Sequence, residues 1–388
     1  MKFPVSLWAG GISLLALAGC ATSQPGETKP ADGNSVTNRE AGRNKVLVEY
    51  RSALTALHRG ELGEAKRLLD DALLSIGGIG ADDKNAKQAR RYFSSEDKKN
   101  FRGEPYERVM AYYYRGILYW MDGETDNARA CFRSAQIQDG DTENKEYSSD
   151  YVLLDYLDGF ASAKLAADGS DAFKRAQTVA KTATLPPYNT KANVLFFVDY
   201  GAGPLKYASG QYGEELRFRN QNSAARSATI LVNGQSIPAI PYDDLFFQAT
   251  TRGGRVMDHI LANKAVFKST TSGVGDAALI SGAILGTTQQ GRHSSADEIG
   301  LGLAAFGLIS KIVSSATTPA ADTRSWDNLP QYLSFASATL PPGQHVAKIQ
   351  FNDAQGRALP SLTKTVTINI PAGSRDSVIY VSDKSSNS

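Results

Sequence analysis

Few side chains in this sequence combine the types and the spacing that catalysis or metal binding requires. The four histidines show no metal-ligand spacing such as HExxH, and the two cysteines form no CxxC pair; these residues are His58, His259, His293, His345, Cys20 and Cys131. Ser95 and Ser361 each precede a lysine by three residues, as a serine nucleophile precedes its lysine base, but the companion SDN and KTG elements are missing. We therefore expect a protein that is not an enzyme and that holds no metal or cofactor.

The segment before Cys20 has the features of an export signal. Lys2 provides a positive start, and residues 5–19 form a run of 15 residues without a charge. This run is shorter than the roughly 20 apolar residues that span a membrane. Residues 17–20 read Leu-Ala-Gly-Cys and resemble the bacterial lipobox. The resemblance implies that residues 1–19 are a cleaved signal peptide and that Cys20 carries lipid, in place of an uncleaved membrane anchor.

A thiol suits this role because it is a strong nucleophile that can form a thioether to diacylglycerol. The amine freed by cleavage can take a further acyl chain such as palmitate, and two or three chains make a durable anchor. Ala21 follows the cysteine, where an aspartate would retain the protein in the inner membrane of enterobacteria. We therefore expect an outer-membrane anchor facing the periplasm, with the Pro-, Gly- and Ser-containing residues 20–38 as a flexible tether.

The charge balance argues against one class of partner. The 42 lysines and arginines nearly equal the 40 aspartates and glutamates, whereas a nucleic-acid-binding protein would show a clear basic excess. Once Cys20 is lipidated, Cys131 is the one remaining thiol, so no intramolecular disulfide can form. We expect Cys131 to be a small apolar residue of a helix.

Residues 39–187 carry apolar residues at helical spacing and contain a repeated pattern. Residues 55–75 align with residues 118–138 at an offset of 63, so that Gly60 meets Gly123. Each glycine predicts a left-handed turn between two antiparallel helices. The pattern resembles tetratricopeptide-repeat hairpins, although the offset is not a multiple of their period of about 34 residues. A third helix pair is predicted within residues 151–184.

The most distinctive stretch lies between these two hairpins, at residues 103–124, and reads GEPYERVMAYYYRGILYWMDGE. Pro105 suits the first turn of a helix, and aromatic residues then surround most of that helix. The candidates for a partner-binding surface are Tyr106, Tyr112, Tyr113, Tyr119 and Trp120. Two interpretations stay open: these residues form the core of a helix packed on two sides, or some of them line a surface that binds a peptide or a glycan.

Residues 188–388 change to strand-like patterns. Seven segments alternate in polarity or are rich in β-branched and aromatic residues; they are residues 193–200, 216–219, 228–232, 332–336, 345–351, 364–370 and 377–381. Asn233-Gly234 predicts a tight hairpin turn. We expect an α+β protein in which tetratricopeptide-like helical hairpins precede a small antiparallel β-sandwich.

A helical insertion is predicted inside the β-rich half, at about residues 255–316. Residues 277–286 and 299–310 are uncharged, and each run is too short to span a bilayer. Gly282 and Gly286 form a GxxxG step, which favours close packing of two helices as an apolar hairpin. The hairpin could be buried against the body, touch a membrane or form an oligomer interface.

The sequence ADTRSW at residues 321–326 offers a second candidate contact. Asp322, Arg324 and Trp326 combine a carboxylate, a planar cation and an indole, which suit a sugar or peptide ligand. The alternative is that Asp322 and Arg324 pair or cap locally while Trp326 makes an interdomain contact that seals the inserted helical hairpin onto the sandwich.

Four features together resemble an uncharacterised family of bacterial outer-membrane lipoproteins with tetratricopeptide-like helices and a β-rich C-terminal half. They are the lipobox, residues 103–136, the FFVDYGAGP stretch from Phe196 and residues 321–345. Similar proteins are often encoded near outer-membrane lipoproteins that activate peptidoglycan synthases. The resemblance implies a membrane-anchored scaffold that binds a periplasmic or outer-membrane protein in cell-wall synthesis or envelope assembly. The alternatives are a structural subunit that assembles through the apolar hairpin, with an oligomer as one form, and a cell-wall-acting enzyme.

Overall fold

The computed structural model describes residues 41–77, 100–140, 147–180, 185–211, 213, 215–251, 321–373 and 375–386. These residues belong to one compact unit with a mixed α+β fold. Cys20, the signal peptide, the tether and the insertion at 255–316 lie outside the described residues. In the part of the chain that is described, no helix is both long and apolar enough to cross a membrane.

Six helices form three consecutive pairs at the places that the sequence predicted. They are α1 (Lys45–His58) with α2 (Leu62–Ile76), α3 (Pro105–Met121) with α4 (Thr125–Asp139), and α5 (Val152–Lys164) with α6 (Ser170–Val179). The turns of the first two pairs place Gly60 and Gly123 at φ values of 75° and 83°. A residue with a Cβ is strained at such angles, so the two glycines explain where both chain reversals occur.

The strands form two four-stranded sheets and one separate hairpin. Sheet order is β10-β1-β7-β6 in the first sheet and β5-β4-β8-β9 in the second, while β2 pairs with β3. The strands are β1 (Val194–Tyr200), β2 (Leu205–Ser209), β3 (Glu215–Arg219), β4 (Ser227–Val232), β5 (Gln235–Ala239), β6 (Pro241–Asp244), β7 (Tyr332–Ala338), β8 (Gly343–Asn352), β9 (Lys364–Ile370) and β10 (Ser377–Ser382). All seven predicted strands are present, whereas β2, β5, β6 and the short helix α7 (Leu245–Thr250) were not predicted.

One pairing departs from the predicted antiparallel arrangement. β1 pairs antiparallel with β7 on one side but parallel with β10 on the other, with Val194 opposite Ser377. The parallel pairing brings the last strand of the chain beside the first strand of the β-rich half. Pairs so distant in sequence leave no local turn signal, which is why the sequence pattern did not reveal this one.

β1 is buried on both of its faces and therefore joins the two layers of the molecule. Phe196 and Val198 contribute to a hydrophobic cluster that includes side chains of both four-stranded sheets. Leu195 and Phe197 alternate with them and belong to the cluster formed with the helices. This double burial accounts for the continuous apolar sequence VLFFV in a strand that would otherwise alternate.

The first helix of every pair packs against the β-rich half. Tyr50 of α1 stacks on Trp326 with ring centroids 4.4 Å apart, and the rings of Trp120 in α3 and Phe197 in β1 lie 6.3 Å apart. Phe160 of α5 contacts Phe335 of β7 at 5.7 Å. We call α1, α3 and α5 the inner helices and their partners α2, α4 and α6 the outer helices.

A buried carboxylate, Glu107 in the first turn of α3, fixes the helices to the strands. Its Oε2 accepts hydrogen bonds from the Glu104 backbone N–H at 2.7 Å and from Lys206 Nζ of β2 at 2.5 Å. Its Oε1 accepts from the Trp326 backbone N–H at 2.7 Å. The Glu107 and Lys206 side chains are 0% and 1% exposed. This carboxylate therefore caps a helix, neutralises a buried lysine and holds the 321–331 segment at once.

We predict that Glu107→Gln destabilises the fold strongly because it leaves the Lys206 ammonium buried without its counter-charge. Breaking a buried pair in this way costs about 3–5 kcal/mol. The free energy of unfolding, measured by urea denaturation with tryptophan fluorescence, is the readout.

Glu64→Gln is the matched control, because Glu64 pairs with Arg67 through side chains that are 47% and 58% exposed, and exposed pairs contribute little. Adding Lys206→Met to Glu107→Gln should restore part of the lost stability, since the uncompensated charge is then removed. Equal stability of Glu107→Gln and the control would contradict the proposed role of this carboxylate.

Candidate functional site

The aromatic residues of α3 separate into a buried set and a half-buried set. Tyr106, Tyr113 and Trp120 are at most 1% exposed, so the core interpretation holds for these three candidates and they do not belong to a partner-binding surface. They are core residues because the inner helix is covered on several sides: Tyr113 contacts Phe197 of β1, and Trp120 contacts Phe132 of α4.

Tyr112 and Tyr119 are the two candidates that are half-buried. With Arg115 they are spaced i, i+3 and i+7 along α3, so all three lie on one face of the helix. The Arg115 guanidinium carbon lies 3.5 Å from the centre of the Tyr119 ring, in a cation–π contact. The two tyrosines, with the buried Arg115 between them, are therefore the part of the predicted surface that could meet a partner.

The outer helices border this stripe. Arg115 Nε donates to Asp70 Oδ1 of α2 at 2.7 Å, and Arg115 Nη2 donates to Asp70 Oδ2 at 3.2 Å. On the α4 side, half-buried Cys131 lies near both tyrosines, and burial raises the pKa of each phenol. We call Asp70, Tyr112, Arg115, Tyr119 and Cys131 the helix groove.

The helix groove is suited to binding and not to nucleophilic chemistry. Burial raises the pKa of the Cys131 thiol to about 12, so the thiol stays protonated and unreactive. This agrees with the expectation of an apolar structural cysteine. Arg115 is held in a bidentate pair with Asp70, which fixes the guanidinium geometry. A rigid surface of tyrosine and arginine is the composition that protein interfaces favour.

Asp322, Arg324 and Trp326 form an internal contact. Arg324 Nη2 and Nε donate to Asp322 Oδ2 and Oδ1 at 2.7 and 2.8 Å, and Arg324 Nη1 donates to Asn44 Oδ1 at 2.9 Å. Trp326 is 1% exposed and covers Tyr50 of α1. Asp322 and Arg324 therefore pair locally, as the alternative predicted, whereas Trp326 packs on the first helix and has no surface to offer a ligand. The inserted hairpin that Trp326 was expected to contact lies outside the described residues.

The sequence interpretation missed a buried carboxylate at the centre of the molecule. Asp199 of β1 accepts hydrogen bonds from Tyr114 Oη at 3.0 Å and from Tyr113 Oη at 3.3 Å. Asp199 is fully buried, and burial raises its pKa to about 8. The hydrogen bonds from the tyrosines act in the opposite direction and lower the pKa, but burial is the larger effect. The signal was present in FFVDY, where a single acid interrupts an apolar strand. With no access to solvent, Asp199 is a core residue and not a reaction centre.

Asp243 of β6 is a second buried carboxylate that the sequence did not reveal. It accepts hydrogen bonds from the Val152 and Leu153 backbone N–H groups, each at 2.9 Å, and so caps the N-terminus of α5 from a distant strand. Burial raises its pKa to about 7. In the described ranges, no group of three or more His, Cys, Asp or Glu side chains is arranged to hold a metal ion.

Comparison with known proteins found no match to this chain. No protein-family model matches the chain, and neither the curated proteins nor the solved structures contain a match. The resemblance to outer-membrane lipoproteins stays a prediction, and the geometry of the described residues carries the functional inference.

The raised pKa of Asp199 predicts a specific pH dependence. Asp199 of the folded protein keeps its proton up to a pKa of about 8, whereas the ordinary pKa of an aspartate is 3.8. Stability from this group is therefore fully present below about pH 4 and is lost as the pH rises through 8. Asp199→Asn has no carboxyl group to ionise at this position. As the pH rises from 5 to 8, the free energy of unfolding of the wild type should therefore fall relative to that of the variant.

Urea unfolding at several pH values measures this difference. Asp126→Asn serves as the control because Asp126 lies on the exposed face of α4. Parallel curves of stability against pH for Asp199→Asn and the wild type would contradict the prediction, because they would show that Asp199 is ionised in the folded protein.

Proposed function

We propose that this protein is a lipid-anchored scaffold of the bacterial envelope that binds a protein partner through the helix groove. The observation that carries the proposal is the stripe of half-buried Tyr112 and Tyr119, with Arg115 fixed between them, on a helix whose other residues up to Trp120 are buried. Aromatic and arginine side chains in fixed geometry are the residues that contribute most to protein interfaces. The partner is a periplasmic or outer-membrane protein.

The packing of the inner helices supports a binding surface on the side of the helices that faces away from the strands. The β-rich half contacts Tyr50, Phe160 and buried aromatic residues of α3, so these side chains are not accessible to a partner. We interpret the three helix pairs as tetratricopeptide-like hairpins and the two four-stranded sheets as a small sandwich with an insertion at 255–316. In such an arrangement the strands occupy the inner side of the helices, and a partner binds from the outer side.

The proposed anchor would keep the helix groove close to the membrane. Cys20 carries the lipid in this proposal, and 20 residues separate it from the first described residue, Ala41. A flexible tether of this length reaches roughly 25 Å. The folded body would thus move within the periplasmic space next to the outer membrane, where it could bind a membrane-associated partner.

Replacing Cys20, the proposed site of lipid attachment, tests whether the protein is anchored in the outer membrane. In Cys20→Ser cells we expect the protein to leave the membrane pellet, because without acyl chains it has no buried methylene groups to hold it there. Palmitate labelling and fractionation of the outer membrane are the measurements. Cys131→Ser is the matched control and should stay labelled and pelleted; a Cys20→Ser protein that still pelleted with the outer membrane would contradict the anchor.

Site-specific photocrosslinking tests the binding surface. A photoreactive phenylalanine analogue at position 112 or 119 should capture one dominant protein, because both side chains lie in the helix groove. The same analogue at Tyr207, a 43% exposed tyrosine of β2, is the matched control.

The double variant Tyr112→Ala/Tyr119→Ala should reduce copurification of the captured protein by about tenfold or more, as the loss of interface aromatics does in other complexes. Its unfolding midpoint should change less than that of a core tyrosine variant such as Tyr113→Ala. Equal crosslinking at positions 119 and 207, or full copurification by the double variant, would contradict the proposal.

A further inference from the structure

The two sheets each end in an open edge on the same side of the molecule. β9 is the last strand of one sheet and β10 of the other, and their single strand partners are β8 and β1 among the strands that the structure describes. Residues 371–376 connect β9 to β10. The two edges border a groove of about 680 Å³ lined by residues 368–370 and 377–379. We call it the strand groove.

Backbone hydrogen-bonding groups of β10 face the strand groove. Ser377 and Asp383 donate their backbone N–H groups to the carbonyls of Asn193 and Asp199 on the β1 side. Because a parallel ladder uses every second residue, the backbone groups of Val378 and Tyr380 point to the open side. On the opposite wall, the Asn369 carbonyl accepts from Ser377 Oγ at 3.4 Å, so this bond bridges the two strands at that end, and the open backbone groups are those of β10.

Apolar side chains and one cation complete the lining. Ile370 of β9 and Val378 and Ile379 of β10 supply the apolar part. Arg375 is exposed and donates Nη2 to the Met121 carbonyl at 2.6 Å. Its neighbour Asp376 accepts from Lys164 Nζ and Trp120 Nε1 at 2.7 and 3.0 Å, so that carboxylate is engaged elsewhere. Arg375 makes no ion pair with any residue that the structure describes.

We propose that the strand groove binds an extended segment of a partner protein by β-strand addition, with an acidic side chain of that segment at Arg375. Open edges template pairing with another chain, and main-chain hydrogen bonds supply affinity while side-chain pockets supply specificity. Alternate apolar side chains of the segment would contact Ile370 and Val378, and the charge of Arg375 sets the position of the acid. This surface is separate from the helix groove and does not depend on its function.

Selection from a displayed library of random twelve-residue peptides on the full-length lipoprotein in detergent tests the proposal. We expect enriched peptides to alternate apolar and polar residues and to carry an acidic residue. Their affinity is then measured by fluorescence anisotropy with the enriched peptide itself as the probe.

Two variants locate the bound peptide. Arg375→Glu should weaken binding by about tenfold or more, as expected for a lost charge-assisted hydrogen bond; Arg219→Glu, at an exposed arginine of β3, is the matched control. Val378→Pro removes the backbone N–H group of Val378, which points to the open side of β10. It leaves the residues that hydrogen-bond to β1 unchanged, and proline is tolerated on an edge strand. It should also weaken binding, whereas Tyr112→Ala/Tyr119→Ala should leave the affinity unchanged.

Hydrogen exchange of the complex provides a readout that does not depend on variants. Binding should slow exchange of the Val378 and Tyr380 amides. The proposal is overturned by a library that yields no enriched peptide, by peptides whose affinity is the same for Arg375→Glu and the wild type, or by protection confined to residues outside β9 and β10.

Discussion

The buried carboxylate of Glu107 is the interaction on which the arrangement of the rest depends. It joins the first turn of the central helix, the ammonium of Lys206 on β2 and the backbone of Trp326. An ionised pair in a water-free core is tolerated when further hydrogen bonds support it, and the Glu107 carboxylate accepts hydrogen bonds from three donors. Lys206 Nζ also donates to the Arg324 carbonyl at 2.9 Å. Helices and strands consequently share one core cluster.

This shared core explains why the aromatic helix is not a general binding surface. Helix pairs that stand alone would expose their inner side, and the aromatics of α3 would then be available to a ligand. In this protein Phe197 and Asp199 of β1 occupy that side, and Asp199 accepts hydrogen bonds from two tyrosines that would otherwise be buried with unused hydroxyls. What remains accessible is the face between the outer helices, where Tyr112 and Tyr119 lie.

Local sequence patterns predicted most helices and strands, whereas contacts between residues that are distant in sequence could not be predicted. Gly60 and Gly123 located two helix turns because positive φ demands a residue without a side chain. Alternation located β4, β8 and β9, and the predicted Asn233-Gly234 turn has φ values of 50° and 75°. The pairing of β1 with β10 has no local cause, and three consecutive tyrosines at 112–114 do not reveal which one points outward until the neighbouring elements are known.

Nitration of tyrosines in the native protein, followed by mass spectrometry, tests the central claim that the strands cover the inner face of the helices. Tyr112 and Tyr119, which are half-buried, should react in the native protein, although more slowly than the exposed Tyr207. Tyr113 and Tyr114 should react only when the whole body unfolds, because both are fully buried and burial also raises the pKa of each phenol well above its usual range. Reaction of Tyr113 or Tyr114 at the rate of Tyr119 under native conditions would contradict this claim.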